Sequence, residues 1–340
     1  MNKAVIKEWL NLPNQTQQNI FVEISNKTGL PPAAVEKDWW VVRTLELVFK
    51  LEVGPHTVFK GGTSLSKAWG LIDRFSEDID LALDRKYLGF GEKLSLSQVK
   101  KLREHSHDYI LEGFFPQLTK IFQDNDFTDV SIIPEEVTSN DQDPLIIIVN
   151  YPSVTEKSEY LQPRVLLEIG SRSLMEPHTL RSFTSLVGEY YKGQPFADLN
   201  ISIPTVNPER TFLEKIFLLH EEFQKPSGRI RIDRLSRHLY DIERIMDTAF
   251  EIKALTDKNL FTNIVEHRKT ITPIRGIDYN NHVPDKINFI PPDSIKEEWE
   301  KDYRQMQENM IYKDSLQFDK LLERLTSLNN KINKLKFLEE

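Results

Sequence analysis

Short runs of β-branched and aliphatic residues, bounded by turn-forming residues, follow one another in the first half of the chain. Such runs are typical of β-strands. They predict strands at Val58–Phe59, Ile79–Leu83, Asp129–Ile133, Leu145–Val149 and Arg164–Ile169. Between the second and third runs, Leu94–Phe122 has the apolar spacing of a helix. This order predicts an α+β sheet domain over roughly residues 55 to 203.

Apolar residues recur at helical spacing on both sides of this region. Before it, a break at Pro31–Pro32 separates two helical patterns, so residues 1–54 are predicted to be a helical N-terminal segment. After Pro204, helices are predicted at Asn207–Phe223, Ile232–Phe250 and Ser294–Leu338, which indicates a helical bundle. We therefore predict two domains, residues 1–203 with the N-terminal segment included, and residues 204–340.

The charge and residue content of the chain exclude several classes of protein. The 340 residues include 44 Lys and Arg against 52 Asp and Glu, so the net charge is -8 and a polyanion could bind only at a local basic patch. The chain has no cysteine, which excludes disulfides, thiolate zinc sites and a cysteine nucleophile. No apolar run is long enough to span a membrane, and the N-terminus lacks a signal-peptide core, so we expect a cytoplasmic protein without a membrane partner.

The segment Val58–Leu83 has the pattern strand, glycine turn, helix, strand. Gly61 and Gly62 permit a tight turn, and Thr63 and Ser64 place hydroxyl groups at the start of the helix, where free N–H groups favour a phosphate. The spacing is not that of a P-loop, because only Lys67 falls at the expected position. We group Lys67 with the turn as a candidate phosphate ligand.

Two carboxylates follow on the next predicted strand. Asp78 and Asp80 alternate with buried positions and so share one face of the strand. Carboxylates this close repel unless a cation compensates, and Mg²⁺ or Mn²⁺, held partly by substrate phosphates, is the simplest compensator. Glu168 is the best candidate for a third metal carboxylate, on an adjacent strand. The alternatives are an exposed acidic strand end for the pair and a solvated edge-strand glutamate for Glu168.

The motif formed by Gly61–Lys67 and Ser76–Leu81 resembles the AbiEii/AbiGii toxin family of the nucleotidyltransferase (DNA polymerase β-like) superfamily. Three other segments are similar to the family's flanking signatures, so the resemblance spans nearly the whole chain: Val35–Trp40, Pro208–Lys215 and Tyr303–Met306. It implies a mixed β-sheet domain of the nucleotidyltransferase type with flanking helices. It also implies metal-dependent transfer of a nucleoside monophosphate from a nucleoside triphosphate to an acceptor hydroxyl, with tRNA or other RNA as the acceptor class. Such proteins are toxins of type IV toxin-antitoxin or phage-defence systems, so a cognate antitoxin is a possible partner.

Residue by residue, the resemblance assigns phosphate binding to Gly61–Ser64 and metal binding to Asp78 and Asp80. It adds Lys215 and Asp241, on two later helices, to the catalytic set. The wider superfamily usually has glycine-serine where this chain has Gly61–Gly62, so a hydroxyl contact to phosphate is expected from Thr63 or Ser64.

Several alternatives remain open. Lys215 could be a solvated lysine paired with Glu214 or Glu222, and Asp241 could bridge neighbouring arginines. The basic segment Lys225–Arg244 is a candidate site for RNA or triphosphate, or a surface lattice of ion pairs. The acceptor could instead be a protein or a small molecule, and the chain could be an inactive nucleotide- or RNA-binding module.

Overall fold

A computed structural model describes residues 3–76, 78–137, 139–156 and 161–336 of the chain. The chain forms two compact units. The first contains residues 1–69 and 75–206, and the second contains residues 70–74 and 207–340. The boundary predicted from the sequence lay between residues 203 and 204, and the sequence pattern gave no sign that the short segment 70–74 joins the second unit.

The first unit is built around a mixed β-sheet. Within its described residues the strands are β1 (Thr57–Lys60), β2 (Asp78–Leu83), β3 (Ser131–Pro134), β4 (Leu145–Asn150), β5 (Arg164–Gly170), β6 (His178–Phe183) and β7 (Ile201–Val206). Their order in the sheet is β3-β4-β5-β2-β1-β7-β6. Strand β2 pairs antiparallel with β1 and parallel with β5.

The helices of the first unit are α1 (Lys3–Leu10), α2 (Asn14–Thr28), α3 (Pro32–Val48), α4 (Gly61–Lys67), α5 (Leu96–Tyr109), α6 (Phe115–Gln123) and α7 (Leu186–Tyr190). The predicted helix Leu94–Phe122 is present as α5 and α6, joined by one π-helical segment at Ile110–Phe114. The mixed sheet with flanking helices confirms the predicted fold class.

One face of the sheet supplies the core. In β2, β4 and β5 alternate residues are buried, among them Ile79, Leu81, Ile147 and Leu167. Helix α3 packs against β2 and β5. On the opposite faces of β2 and β5, the acidic residues of the motif are only partly buried.

The five strands predicted from aliphatic runs are all present, although β3 begins at Ser131 rather than Asp129. Strands β6 and β7 were not predicted from the sequence pattern. Strand β6 lies at an edge of the sheet with most of its side chains exposed or partly exposed, so it lacks the apolar alternation of a half-buried strand. Strand β7 contains Pro204, a residue that argues against a strand in a sequence pattern.

The second unit is helical. Its described α-helices are α8 (Pro208–Phe223), α9 (Ser236–Ile245), α10 (Ala249–Thr256), α11 (Lys258–Thr270), α12 (Lys296–Asn309) and α13 (Phe318–Asn333). The predicted helix Ile232–Phe250 is divided, because Asp247 has a left-handed φ of 64° and Thr248 caps α10. The predicted helix Ser294–Leu338 is likewise divided into α12 and α13, and its last two residues lie outside the described part of the chain.

A search for membrane-spanning helices over the described residues finds none of sufficient length and hydrophobicity.

Candidate active site

The turn between β1 and α4 brings a carboxylate against the polypeptide backbone. Lys60, the last residue of β1, is the pairing partner of Asp80 in β2. The next residue, Gly61, has a left-handed φ of 79°. A Cβ atom at Gly61 would lie 1.8 Å from Oδ2 of Asp80. A glycine is therefore required here for two reasons. A side chain at Gly61 would strain the backbone, and it would overlap the carboxylate of Asp80.

The acidic residues share the partly buried face of β2 and β5. Asp78 and Asp80 are two residues apart on β2, and Ile79 between them is buried. Glu168 of β5 is the pairing partner of Asp80. Since side chains of paired residues in adjacent parallel strands project to the same side, at a strand spacing of about 4.8 Å, Glu168 lies beside Asp80. The three carboxylates predicted from the sequence thus lie on the same face of two neighbouring strands.

The donor chemistry of this face suits Mg²⁺ or Mn²⁺. Over the described residues, no group of three or more His, Cys, Asp or Glu side chains is placed so that it could hold a metal ion. A pair of aspartates fits an ion that retains several waters and takes further oxygens from substrate phosphates, as Mg²⁺ does. Asp78 and Asp80 could hold such an ion together with substrate phosphates, with Glu168 on the neighbouring strand.

The hydroxyl groups of the turn are used to hold the motif together. Thr63 hydrogen-bonds the carbonyl oxygen of Asp78 and lies 2.9 Å from the hydroxyl of Ser76. Ser64 donates to the carbonyl oxygen of Gly61 at 2.8 Å, and both Thr63 and Ser64 are buried. From the sequence, Thr63 or Ser64 is expected to contact phosphate through its hydroxyl group. In the structure they fix the turn against the acidic strand, and the backbone N–H groups of Gly62 and its neighbours are the remaining donors there.

The side chain of Lys67 is bound to a carboxylate of the first unit. Its Nζ atom lies 2.6 Å from Oδ1 of Asp38 in α3, and both side chains are largely buried. The other oxygen of Asp38 accepts from the backbone N–H of Leu186, the first residue of α7, at 2.7 Å. Asp38 is a residue whose role the sequence analysis missed. Asp38 lies in the segment Val35–Trp40, which is similar to one of the family's flanking signatures, and this similarity could have indicated a role for it.

Lys215 and Asp241 form part of a buried cluster within the second unit. Nζ of Lys215 lies 2.9 Å from Oδ2 of Asp241, a carboxylate with no exposed surface. Arg74 makes two hydrogen bonds to the same carboxylate, each of 2.7 Å. Lys215 is thus neither solvated nor paired with Glu214 or Glu222, the partners considered from sequence. Asp241 bridges an arginine and a lysine rather than two arginines of its own helix.

The buried charges of this cluster shift one another's pKa values. Burial alone would raise the pKa of Asp241, but Arg74 and Lys215 hold it well below its ordinary range. Burial lowers the pKa of Lys215, against the attraction of Asp241. Nδ1 of His238 lies 3.2 Å from Nζ of Lys215, and burial together with the charge of Lys215 holds the pKa of His238 well below its usual value.

Three of the basic residues in the segment Lys225–Arg244 form ion pairs. Lys225 and Arg231 each lie 2.8 Å from Glu222, and Arg244 lies 2.7 Å from Asp73. Arg229 is exposed. Part of the segment therefore has the ion-pair lattice that was the alternative to an RNA site.

A mixed sheet with an acidic strand beside a diglycine turn is the architecture that the resemblance implied for a nucleotidyltransferase. A family model described as nucleotidyl transferase AbiEii toxin, type IV toxin-antitoxin system, matches residues 46–324, about four-fifths of the chain. The chain belongs to this family, and the resemblance stated from its motifs is confirmed.

Similarity to solved structures and to curated sequences is weaker than the match to the family model. Among solved structures, the chain is similar to MenT4, a nucleotidyltransferase toxin from Mycobacterium tuberculosis H37Rv, with 16% identity and a TM-score of 0.42. The match covers 95% of this chain and 98% of that one, but at this level of similarity it supports no inference about activity. No curated protein sequence gives a significant match.

Proposed function

We propose that this toxin transfers a nucleoside monophosphate from a nucleoside triphosphate to an acceptor hydroxyl, that the reaction requires Mg²⁺ or Mn²⁺, and that the acceptor is RNA, with tRNA the foremost candidate. The acceptor hydroxyl attacks the α-phosphorus, the bond to the β-phosphate oxygen breaks, and pyrophosphate leaves. Membership of the AbiEii family supports the nucleotidyltransferase reaction.

The observation that carries the proposal is the position of Asp80. Its carboxylate lies against Gly61 of the diglycine turn, in a space that a Cβ atom would fill, and Glu168 is its partner on the neighbouring strand. A phosphate seated on the turn would therefore meet an acidic pair at short range. Phosphate and carboxylates repel one another, so this juxtaposition is favourable only with a divalent cation between them.

Each residue of the motif has a separate task in this proposal. Asp78 and Asp80 would hold the divalent ion, and Glu168 would contribute a third carboxylate for a second ion. When bound, such ions supply neutralisation of the charge on the phosphate oxygens. Gly61 admits the carboxylate of Asp80, and the hydroxyl of Thr63 keeps β2 at a fixed distance from the turn through the carbonyl of Asp78. The backbone N–H groups of the turn donate to the phosphate.

The RNA acceptor is supported by the basic segment of the second unit. In a chain of net charge -8, Lys225–Arg244 concentrates six Lys and Arg side chains within twenty residues. Because Lys225, Arg231 and Arg244 are ion-paired, Arg229 and Arg237 are the better candidates for contacts to the RNA backbone.

The proposal is tested by following the α-phosphate of the nucleotide. The purified chain is incubated with each α-labelled nucleoside triphosphate, Mg²⁺ and total RNA or cell lysate, and the label is separated into RNA, protein and small molecules. We expect label in RNA, with pyrophosphate released in equal amount. Label in protein or in a small molecule alone would contradict the RNA acceptor but retain the transferase. Nucleotide binding without pyrophosphate release would indicate an inactive binding module.

Substitutions assign the activity to the acidic face. Asp80→Asn removes the charge while keeping the shape of the side chain, and we expect turnover to fall by at least about a thousandfold. Asp84→Asn is the matched control, because Asp84 follows directly after β2 and caps only the N–H of Lys86. Full activity in Asp80→Asn would contradict the assignment. A similar loss in both variants would show that the effect comes from folding.

Family membership also leads us to expect a cognate antitoxin. Growth arrest on production of the wild-type chain, relieved by the antitoxin gene and absent with Asp80→Asn, would connect the chemistry to the toxin role. Growth arrest by the Asp80→Asn chain would show that toxicity does not depend on the proposed chemistry.

A further inference from the structure

The segment that connects α4 to β2 belongs to the second unit. Residues 70–74 group with residues 207–340, although α4 before them and β2 after them are in the first unit. The segment ends at Arg74, and Asp78 of the acidic motif is the fourth residue after it. The contacts that hold Arg74 and its neighbour Asp73 therefore act close to the start of the acidic strand.

The backbone of this segment is held at two residues. The carbonyl oxygen of Asp73 accepts a hydrogen bond from the backbone N–H of Tyr312 at 3.2 Å. The N–H of Asp73 donates to the hydroxyl of Tyr240, also at 3.2 Å. Arg74 forms an antiparallel β-bridge with Ile311. The path of the chain is therefore fixed just before it enters β2.

The side chain of Arg74 adds a bidentate contact. Its Nε and Nη2 atoms donate to the two oxygens of Asp241, each at 2.7 Å, and both side chains are buried. Two parallel hydrogen bonds between a planar guanidinium and a carboxylate fix direction as well as distance. Lys215 lies 2.9 Å from the same carboxylate. The oxygens of Asp241 are thus occupied by cations of the protein, and its side chain has no exposed surface with which to meet a ligand.

Asp78 depends on the segment before it more than Asp80 does. Asp80 is paired on both sides, with Lys60 of β1 and Glu168 of β5. In the described part of the sheet, Asp78 lies beyond the end of β1 and pairs only with Leu166 of β5. The position of Asp78 is therefore set in part by the point at which the chain enters β2.

We propose that Arg74 and Asp241 are positioning residues for Asp78, because their ion pair fixes the chain four residues before it and so sets where β2 begins. The proposal rests on the proposed function, in which Asp78 helps to hold the divalent ion. It gives a reason for a buried ion pair, an arrangement that often stabilises a fold no more than apolar side chains would. The resemblance places Asp241 in the catalytic set, and here Asp241 acts on the metal site through Arg74.

The experiment measures, by calorimetry on the full chain, how much Mn²⁺ strengthens the binding of a nucleotide. Non-hydrolysable analogues of ATP, GTP, CTP and UTP are titrated in turn, once with Mn²⁺ and once with EDTA, and the analogue with the largest gain in affinity is used. Arg74→Lys keeps the positive charge but loses the planar fork. We expect it to reduce the gain from Mn²⁺ by about tenfold to a hundredfold, as happens when a residue that orients a metal ligand is removed. Affinity in EDTA should stay within about threefold of wild type, because Arg74 does not contact the nucleotide in this proposal.

Arg268→Lys is the matched control. Arg268 of α11 also makes two hydrogen bonds to one buried carboxylate, that of Glu221, and neither residue contacts the segment 70–74 through these bonds. The two variants should lose a similar free energy of unfolding in urea, but the gain from Mn²⁺ should fall only in Arg74→Lys. In an Asp78→Asn background Arg74→Lys should cause no further loss of that gain, because the carboxylate that it positions is already absent.

Three results would overturn the proposal. The first is a gain from Mn²⁺ in Arg74→Lys within about twofold of wild type, and the second is an equal loss of that gain in Arg268→Lys. The third is an affinity in EDTA that falls as far as the affinity with Mn²⁺, which would mean that Arg74 or Asp241 serves the nucleotide directly.

A second variant keeps the test decisive if circular dichroism shows that Arg74→Lys is not folded. Tyr240→Phe removes one hydrogen bond to the backbone of Asp73 and should reduce the gain from Mn²⁺ by about threefold or more, and an unchanged gain would contradict the proposal. Failure of the proposed function gives a different pattern, because the wild-type chain itself would then gain no affinity from Mn²⁺. Failure of this proposal alone leaves the wild-type gain intact and leaves it equally intact in Arg74→Lys.

Discussion

The substitution Gly61→Ala tests the juxtaposition of turn and carboxylate without removing any functional group. The new Cβ atom would lie 1.8 Å from Oδ2 of Asp80, whereas ordinary contact begins at 3.4 Å, so the carboxylate or the turn must move by at least 1.6 Å (3.4 minus 1.8). A displacement of 1 Å in a reacting group can reduce turnover by about a hundredfold. The left-handed φ of 79° adds about 1–2 kcal/mol of backbone strain to the cost in stability.

The control separates displacement from strain. Gly89 has a similar φ of 84°, and a Cβ atom there would meet nothing within 4 Å. Gly89→Ala should therefore lose about the same 1–2 kcal/mol of stability and keep its activity. Label transfer from an α-labelled nucleoside triphosphate measures turnover, and urea denaturation measures the free energy of unfolding. Activity of Gly61→Ala within threefold of Gly89→Ala would refute the claim that Asp80 acts from its position against the turn.

Three further substitutions or conditions address the charges of the molecule. Asp241→Asn leaves Arg74 and Lys215 buried without their anion and should reduce the free energy of unfolding in urea by about 3–5 kcal/mol; an unchanged value would contradict the ion-pair cluster. Burial lowers the pKa of His220 to about 4, so the unfolded chain binds the extra proton below pH 6.5, and stability should fall by up to about 3 kcal/mol as the pH drops from 6.5 to 4. His220→Gln should abolish that part of the pH dependence. A wild-type free energy of unfolding that increases as the pH drops from 6.5 to 4 would contradict the prediction. Lys67→Met should cost about 3 kcal/mol in unfolding free energy, whereas a lysine that served only the nucleotide would change the KM for the nucleotide alone.

The local motif could be predicted because its physical causes are local. The diglycine turn, the alternation in β2 and the aliphatic character of β5 are all contained in short stretches of sequence. The pairing of Asp80 with Glu168 follows once β5 lies beside β2, and a lone charge in an apolar strand indicated which residue to select. The sheet was incomplete in the prediction because β6 is an exposed edge strand and β7 contains Pro204.

The partners of the charged residues could not be predicted, since they depend on contacts between elements far apart in sequence. Lys67 pairs with Asp38, 29 residues earlier, and Arg74 pairs with Asp241, 167 residues later. Spacing within one helix suggested Glu214 or Glu222 for Lys215, but the packing of α8 against α9 supplies Asp241 instead. Helical periodicity identifies which residues share a face, and only tertiary structure identifies what that face meets.

The central claim is that Asp78 and Asp80 hold a divalent ion beside the diglycine turn. It is tested most directly by a crystal structure of the chain with Mn²⁺ and a non-hydrolysable nucleoside triphosphate, with anomalous scattering used to locate the metal. We expect an anomalous peak within about 2.0–2.3 Å of oxygens from both aspartates and from the nucleotide phosphates. A nucleotide bound with its metal away from these two carboxylates would contradict it.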